Sequence, residues 1–406
     1  MARIARVDVG PLAPYAHGYR ELLAGLGYTS FGVVQKSCEA GRLSDWMIDN
    51  GLGSADLTVG RLDEFSAMCA AGSLRPAGRR ALGPLAAYLR GLGAIPGESF
   101  GATVTDELLA RYRCWMVQER ALAPRTIGRY AQTARSFLTV RAQRFGGCGA
   151  EGLTGSDVHE FLLAETGRVS VGSAKGRVAE LRCLLRFLFL DGSTTSMLAA
   201  SIPPVAGWRD TALPAMLSSA EVEAILAAND RATAVGRRNF AIVMILARLG
   251  LRAAEVGALR LDDVNWRAGE LVVRGKARRD DSLPLPTDVG EAIAAYLAAG
   301  RPDTPCRAVF VTCFAPLKAL APQSVSKIVY DASRRAGMDP PVCSHRLRHA
   351  LATEMLRHGV ALGDISQVLR HRDLATTAIY AKVDHGALRE LAVAWPQATM
   401  PAAVSS

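Results

Sequence analysis

The sequence predicts a mainly α-helical protein with one small β-sheet, an α+β chain built from several domains. Three observations predict it. Apolar residues recur at helical spacing through much of the first 195 positions. A stretch containing Pro203, Pro204 and Pro214 then interrupts the helices. Beyond it, a second helical region contains two short β-prone runs on either side of a basic turn.

Residues 1–100 read as a helical N-terminal domain. Helical spacing is clear from Tyr19 to Leu26, from Val34 to Met47 and from Leu82 to Leu92, and the segment Gly91–Gly97 breaks it. Residues 103–195 read as a second helical domain. Ala123-Pro124-Arg125 resembles a helix start, with Pro in the first turn. Tyr130, Ala134, Phe137 and Leu138 follow on one face, and Val178, Leu181, Leu185 and Leu188 line the last helix before Asp191-Gly192. The two regions echo one another. Leu57-Thr58 through Phe65 matches Leu153-Thr154 through Phe161 at an offset of 96, and Tyr88-Leu89 matches Phe187-Leu188 at 99. Either an internal duplication or the general likeness of four-helix units accounts for this.

Residues 196–215 read as a linker and 216–395 as a third domain, followed by a tail at 396–406. The third domain opens at Leu217-Ser218-Ser219-Ala220-Glu221, where Ser and Glu three apart favour a helix N-terminus. Glu270–Arg274 and Asp281–Leu285 read as strands.

Of the 406 residues, 50% are hydrophobic and 21% charged, which fits a soluble globular protein too long for a single core. The apolar run Phe240–Ala247 is far too short to span a bilayer, and no long apolar stretch follows the first residues, so a cytoplasmic location is expected. A net charge of +10 suggests a polyanionic partner, most simply nucleic acid. The cations are mostly Arg, since Lys occurs only at positions 36, 175, 276, 318, 327 and 382. None of the 8 Cys forms a C-x-x-C pair, so reduced thiols are expected, without a disulfide framework.

One series of residues carries chemistry. Arg252 follows the apolar run through Gly250, with Glu255 three residues on to orient it. Lys276 lies in the turn between the strands, with Arg274, Arg278 and Arg279 beside it to grip backbone phosphates. His345 and Arg348 are three apart and share a helix face. His371 and Tyr380 lie beyond. Breaking a phosphodiester without metal needs an oriented nucleophile, cations matched to the transition state and an acid for the leaving oxygen. Arg252 and Arg348 suit the cations, Lys276 the acid and Tyr380 the nucleophile. Taken singly, each has an ordinary reading: a surface Arg, a solvated hairpin Lys, a core or capping His. The spacing of His345 and His349 also suits a metal pair, but Arg346 stands where a zinc protease needs Glu, and no metal site is expected.

The series resembles the signature of the tyrosine recombinases, the phage-integrase family. Residues 240–385 are similar to its catalytic domain, with Arg252, Lys276, His345, Arg348, His371 and Tyr380 at the six catalytic positions in order. Leu347–Thr353 and Thr376–Tyr380 agree with the typical surroundings, and residues 103–195 are similar to the core-binding domain. The resemblance implies site-specific cleavage and rejoining of double-stranded DNA through a 3′-phosphotyrosine, with no metal or nucleotide cofactor. It also implies four protomers on two DNA sites, from a free monomer or dimer, and exchange of the helix around Ala387–Ala394 between neighbours. The string from His371 to Asp384 reads most like recombinases carried on transposons. One departure stands out: Arg370 precedes His371 where the family usually has Gly, which puts the tight turn in question and offers a further phosphate contact. Arg125 and Arg372 are expected on DNA as well. A DNA-binding protein with an inactive site and a type IB topoisomerase-like enzyme are the competing readings.

Overall fold

The computed structural model describes residues 9–71, 79–95, 103–145, 150–205, 217–275 and 280–370. The chain divides into two compact units, one of Met1–Ser54, Arg61–Leu92 and Ala212–Ser406, the other of Ala55–Gly60 and Gly93–Thr211. The architecture is mainly helical with a three-stranded sheet, as the sequence predicts. Among the described residues no helix is long and apolar enough to cross a membrane.

The N-terminal helices are α1 (Ala16–Gly25), α2 (Ser30–Asp49), α3 (Val59–Ala71) and α4 (Arg79–Gly91). Thr29 starts α2 by accepting from the Gly32 N–H at 3.2 Å, satisfying one donor the helix leaves unpaired. Tyr19, Leu23, Leu43, Met47 and Leu89 are buried where α1, α2 and α4 pack together. The second unit holds α5 (Val104–Gln118), α6 (Pro124–Phe145), α7 (Gly155–Thr166) and α8 (Val171–Leu190). Pro124 occupies the first turn of α6, where its missing N–H costs nothing. Thr154 and Asp157 form a reciprocal capping box at the start of α7. The buried faces match the sequence pattern: Tyr112, Phe137, Leu138, Leu181 and Leu188 form the core.

The two four-helix sets share an aromatic arrangement. Tyr19 on α1 meets Tyr88 on α4 with ring centroids 5.8 Å apart; Tyr112 on α5 meets Phe187 on α8 at 5.1 Å. Trp46 on α2 meets Phe65 on α3 at 5.7 Å; Phe137 on α6 meets Phe161 on α7 at 5.0 Å. Leu82, Leu85 and Leu89 are buried on α4, as are Leu181, Leu184 and Leu188, 99 positions later, on α8.

Part of the expected linker belongs to the second unit. Ala199 and Ile202 are buried in its core, and Arg182 Nη2 donates to the Ile202 carbonyl at 2.7 Å. Helical spacing is lost there, so two buried side chains in an irregular segment leave no periodic signal. Residues 206–216 lie outside the described residues.

The third region is α9 (Ser219–Ala227), α10 (Ala234–Arg248), α11 (Ala253–Ala258), β1 (Val264–Asn265), β2 (Glu270–Arg274), β3 (Asp280–Pro284), α12 (Thr287–Ala299), α13 (Pro322–Arg335), α14 (Ser344–Arg357) and α15 (Leu362–Val368). Ser218 and Glu221 make the expected capping box on α9. The antiparallel strands lie in the order β1-β2-β3, with Arg274 opposite Asp280. The centre of the core is α10. Its residues Ala241–Leu246 are buried, and it packs against α12, α13 and α14. Burial on every side makes α10 read as a continuous apolar run rather than a stripe.

Candidate active site

The site forms where three chain segments meet. Helix α10 stops at Leu249, and Gly250 turns the chain with φ +59°. A side chain there would be strained, and a Cβ would lie 2.8 Å from Leu369 Cδ2 and 3.0 Å from Leu351 Cδ2. Gly250 therefore permits both the turn and the close approach of α14 and α15. Leu251 anchors the turn in the core, which leaves Arg252 at the N-cap of α11 with its side chain 40% exposed.

Glu255 binds Arg252 twice. One carboxylate oxygen accepts from the Arg252 main-chain N–H at 2.7 Å, the other from Nη1 at 2.9 Å. The first bond caps α11, and the second sets the guanidinium direction. Burial opposes ionisation of Glu255. The Arg252 N–H, the charge of Arg370 and the Arg252 guanidinium outweigh it and hold the carboxyl below its ordinary value.

Helix α14 presents His345 in its first turn, exposed, and Arg348 one turn on, buried. Arg348 donates through Nη1 to the Gly250 carbonyl and through Nη2 to the Leu369 carbonyl. It thereby ties together the turn that places Arg252 and the end of α15. Burial, and then the charges of His345, Arg348 and Arg346, push the pKa of His349 down, so its neutral imidazole is favoured.

Two arginines expected on DNA are engaged within the protein. Arg274 Nη2 donates to the buried Asp263 at 2.5 Å, and the other oxygen of that carboxylate accepts from the Arg260 N–H at 2.8 Å. Arg370 has φ +54°, so the left-handed turn expected of Gly is formed with Arg in its place. Its side chain, only 9% exposed, points inward to Glu255 Oε2 at 2.7 Å and to Asp281 Oδ2 at 3.8 Å. In this structure Arg370 is an internal ion-pair partner, because two carboxylates face it and solvent does not. Arg125 is exposed in the first turn of α6. Lys276, Arg278, Arg279, His371, Arg372 and Tyr380, and the helix expected around 387–394, lie outside the described residues.

The structure thus brings together Arg252, Glu255, Arg348 and Arg370. Sequence reading missed Asp263 and Asp281, whose side-chain partners, Arg274 and Arg370, sit in other elements and share no local spacing with them. Among the described residues no group of three or more His, Cys, Asp or Glu is placed to hold a metal ion.

These features agree with what the chain is similar to. A family model described as the phage integrase family matches residues 215–386. The protein y4rA of Sinorhizobium fredii (strain NBRC 101917 / NGR234), named as an integrase/recombinase, is 38% identical over 405 residues, 97% of each chain. Tyrosine recombinase XerD of Mycobacterium tuberculosis (strain ATCC 25618 / H37Rv) is 32% identical over 291 residues, 67% of this chain and 92% of that protein. Among solved structures, the XerH site-specific recombinase bound to palindromic difH substrate shares the fold with a TM-score of 0.55 and 21% identity, over 71% of this chain and 84% of that one. A lambda integrase tetramer bound to a Holliday junction has a TM-score of 0.52 and 17% identity, over 76% of this chain and 88% of that one.

Fold, site and relatives define a class, the DNA strand-transferring enzymes of site-specific recombination. The chain belongs to the tyrosine recombinases, the phage integrase family.

Proposed function

We propose that this recombinase cleaves and rejoins double-stranded DNA through a covalent 3′-phosphotyrosine on Tyr380, with no metal or nucleotide. Arg252 and Arg348 hold the nonbridging oxygens of the scissile phosphate, and His345 and His371 donate hydrogen bonds to it. The Tyr380 oxygen forms a bond to phosphorus as the bond to the 5′ oxygen breaks. Lys276 supplies the proton that the 5′ oxygen takes up. A 5′ hydroxyl of the partner strand then attacks phosphorus and releases Tyr380. A phenol with pKa near 10 needs nearby cations to ionise at neutral pH, and these arginines supply them.

The observation that carries this reading is the pair of bonds from Arg348 to Gly250 and Leu369. They draw the turn bearing Arg252 and the turn leading to His371 onto one helix. DNA bound to the relatives' folds supports the same partner. The active form is a homotetramer on two sites, assembled from monomers or dimers in the cytoplasm.

Residues 1–100 form a helical domain and 103–195, with the buried Ala199 and Ile202, a core-binding domain; the rest of the 196–215 segment leads to a catalytic domain at 216–395 and a tail at 396–406. The repeated aromatic pairs support duplication of the core-binding unit in residues 1–100.

The test uses the full chain and a nicked duplex library of randomised sequence, with SDS-stable protein–DNA adducts recovered and sequenced. A common site enriched by the wild-type chain and absent with Tyr380→Phe supports the reading. DNA binding without adducts identifies an inactive site instead. Adducts without strand exchange between two recovered duplexes identify a topoisomerase-like enzyme.

A further inference from the structure

We infer that Arg370 is a positioning residue for Arg252: it balances the charge of Glu255, so that the carboxylate orienting Arg252 does not also neutralise it. The inference rests on the reading of Arg252 as a phosphate ligand.

The first observation is conformational. Position 370 requires φ +54°, a region where a non-glycine residue is strained. Gly would occupy the turn without that strain, so the Arg side chain must contribute something the turn itself does not need. The second is where the side chain goes. A guanidinium nine-tenths removed from water is unfavourable unless paired, and this one is paired with Glu255 at 2.7 Å, with Asp281 at 3.8 Å beside it. The turn is held from both sides, because the Leu369 carbonyl immediately before it accepts from Arg348.

The third observation is the charge count at Glu255. Its carboxylate, only 10% exposed, receives the Arg252 main-chain N–H, Arg252 Nη1 and Arg370 Nη2. With Arg252 alone, the carboxylate and guanidinium would form a neutral pair, a poor site for an anion. Arg370 brings a second cation to the Glu255 carboxylate itself; its other partner, Asp281, is farther away at 3.8 Å and 35% exposed, so solvent screens that pairing, and Arg252, at 40% exposed, is the cation that faces outward. Arg370 therefore serves the phosphate without touching it.

Three variants of the full chain decide this, assayed on the nicked duplexes recovered by the wild-type protein. Arg370→Gly suits the turn and removes the charge. It is expected to slow adduct formation by about tenfold or more, while the strain relieved at φ +54° offsets part of the lost ion pair in the unfolding midpoint. Arg370→Lys keeps the charge and is expected to recover part of the rate. Arg370→Gly combined with Glu255→Gln removes the anion that Arg370 balances while keeping an oxygen for the Arg252 N–H, and is expected to cleave faster than Arg370→Gly alone. A merely structural residue would show that relief in the unfolding midpoint alone, with the cleavage rate of the fully folded protein the same in the single and double variants. Wild-type rates in Arg370→Gly overturn the inference, as does a double variant no faster than the single one. Loss of the adduct in Tyr380→Phe is measured alongside. If that loss is seen and Arg370→Gly is unchanged, only this inference fails. If wild-type adducts are absent or survive Tyr380→Phe, the functional reading fails and takes the inference with it.

Discussion

Arg348 donates to the main-chain carbonyl of Gly250, which lies 98 residues earlier in the chain. A second bond from the same guanidinium reaches the Leu369 carbonyl. One buried side chain on α14 thus spans the turn before Arg252 and the end of α15. Charge-assisted bonds of this kind contribute about 1.5–3 kcal/mol each, and the buried carbonyls left behind add a desolvation cost. Arg348→Ala should therefore lower unfolding free energy in urea by ~3 kcal/mol or more and cut adduct formation by orders of magnitude. Arg348→Lys, with one compact ammonium in place of a fork, should be intermediate in stability and still slow. Wild-type stability in Arg348→Ala would mean these bonds contribute little.

Gly250 is the other half of that contact. Gly250→Ala should destabilise the protein by about 2 kcal/mol, because φ +59° disfavours a Cβ and Leu369 and Leu351 stand in its way. Chemical denaturation of the variant checks this, and a midpoint equal to wild type would show that the turn relaxes freely.

Much of this was legible in the sequence where the physics is local. The Ser218–Glu221 box marks a helix start because capping depends on residues three apart. The buried faces of α4 and α8 follow from 3.6-residue spacing. The orienting role of Glu255 was readable because it lies three residues from Arg252. What was not legible depends on tertiary contact. Arg370 in sequence is a cation beside His371, and nothing local says that it turns inward to Glu255 on α11 and Asp281 on β3. Arg274 likewise reads as a phosphate contact until the fold sets Asp263 beside it. The two-residue strand β1 is too short to produce an alternating pattern.

His349 gives a prediction in pH. Burial lowers its pKa from the ordinary 6.5, so below that value the unfolded chain takes up a proton more readily than the folded one. Stability from this group is full above about pH 6.5 and declines as the pH falls beneath it. His349→Gln should flatten the dependence of unfolding free energy on pH below about 6.5. Parallel curves for the two proteins would remove His349 as a contributor.

A change far from the chemistry separates folding from catalysis. Ser218→Ala removes the hydroxyl that accepts from the Glu221 N–H at 3.2 Å and should lower stability by about 1 kcal/mol. Adduct formation well below the transition midpoint should match wild type. A loss of cleavage comparable to that of Arg348→Ala would show that the assay reports stability rather than chemistry.

Tyr380 is the proposed nucleophile. Its most direct test is the yield of SDS-stable adduct on a recovered nicked duplex, compared between the full-length wild type and Tyr380→Phe at equal DNA occupancy. The phenol oxygen is the one group this substitution deletes, so adduct is expected from wild type and none from the variant, with binding preserved. Adduct from Tyr380→Phe at the wild-type yield would contradict that role and assign the covalent bond to another residue.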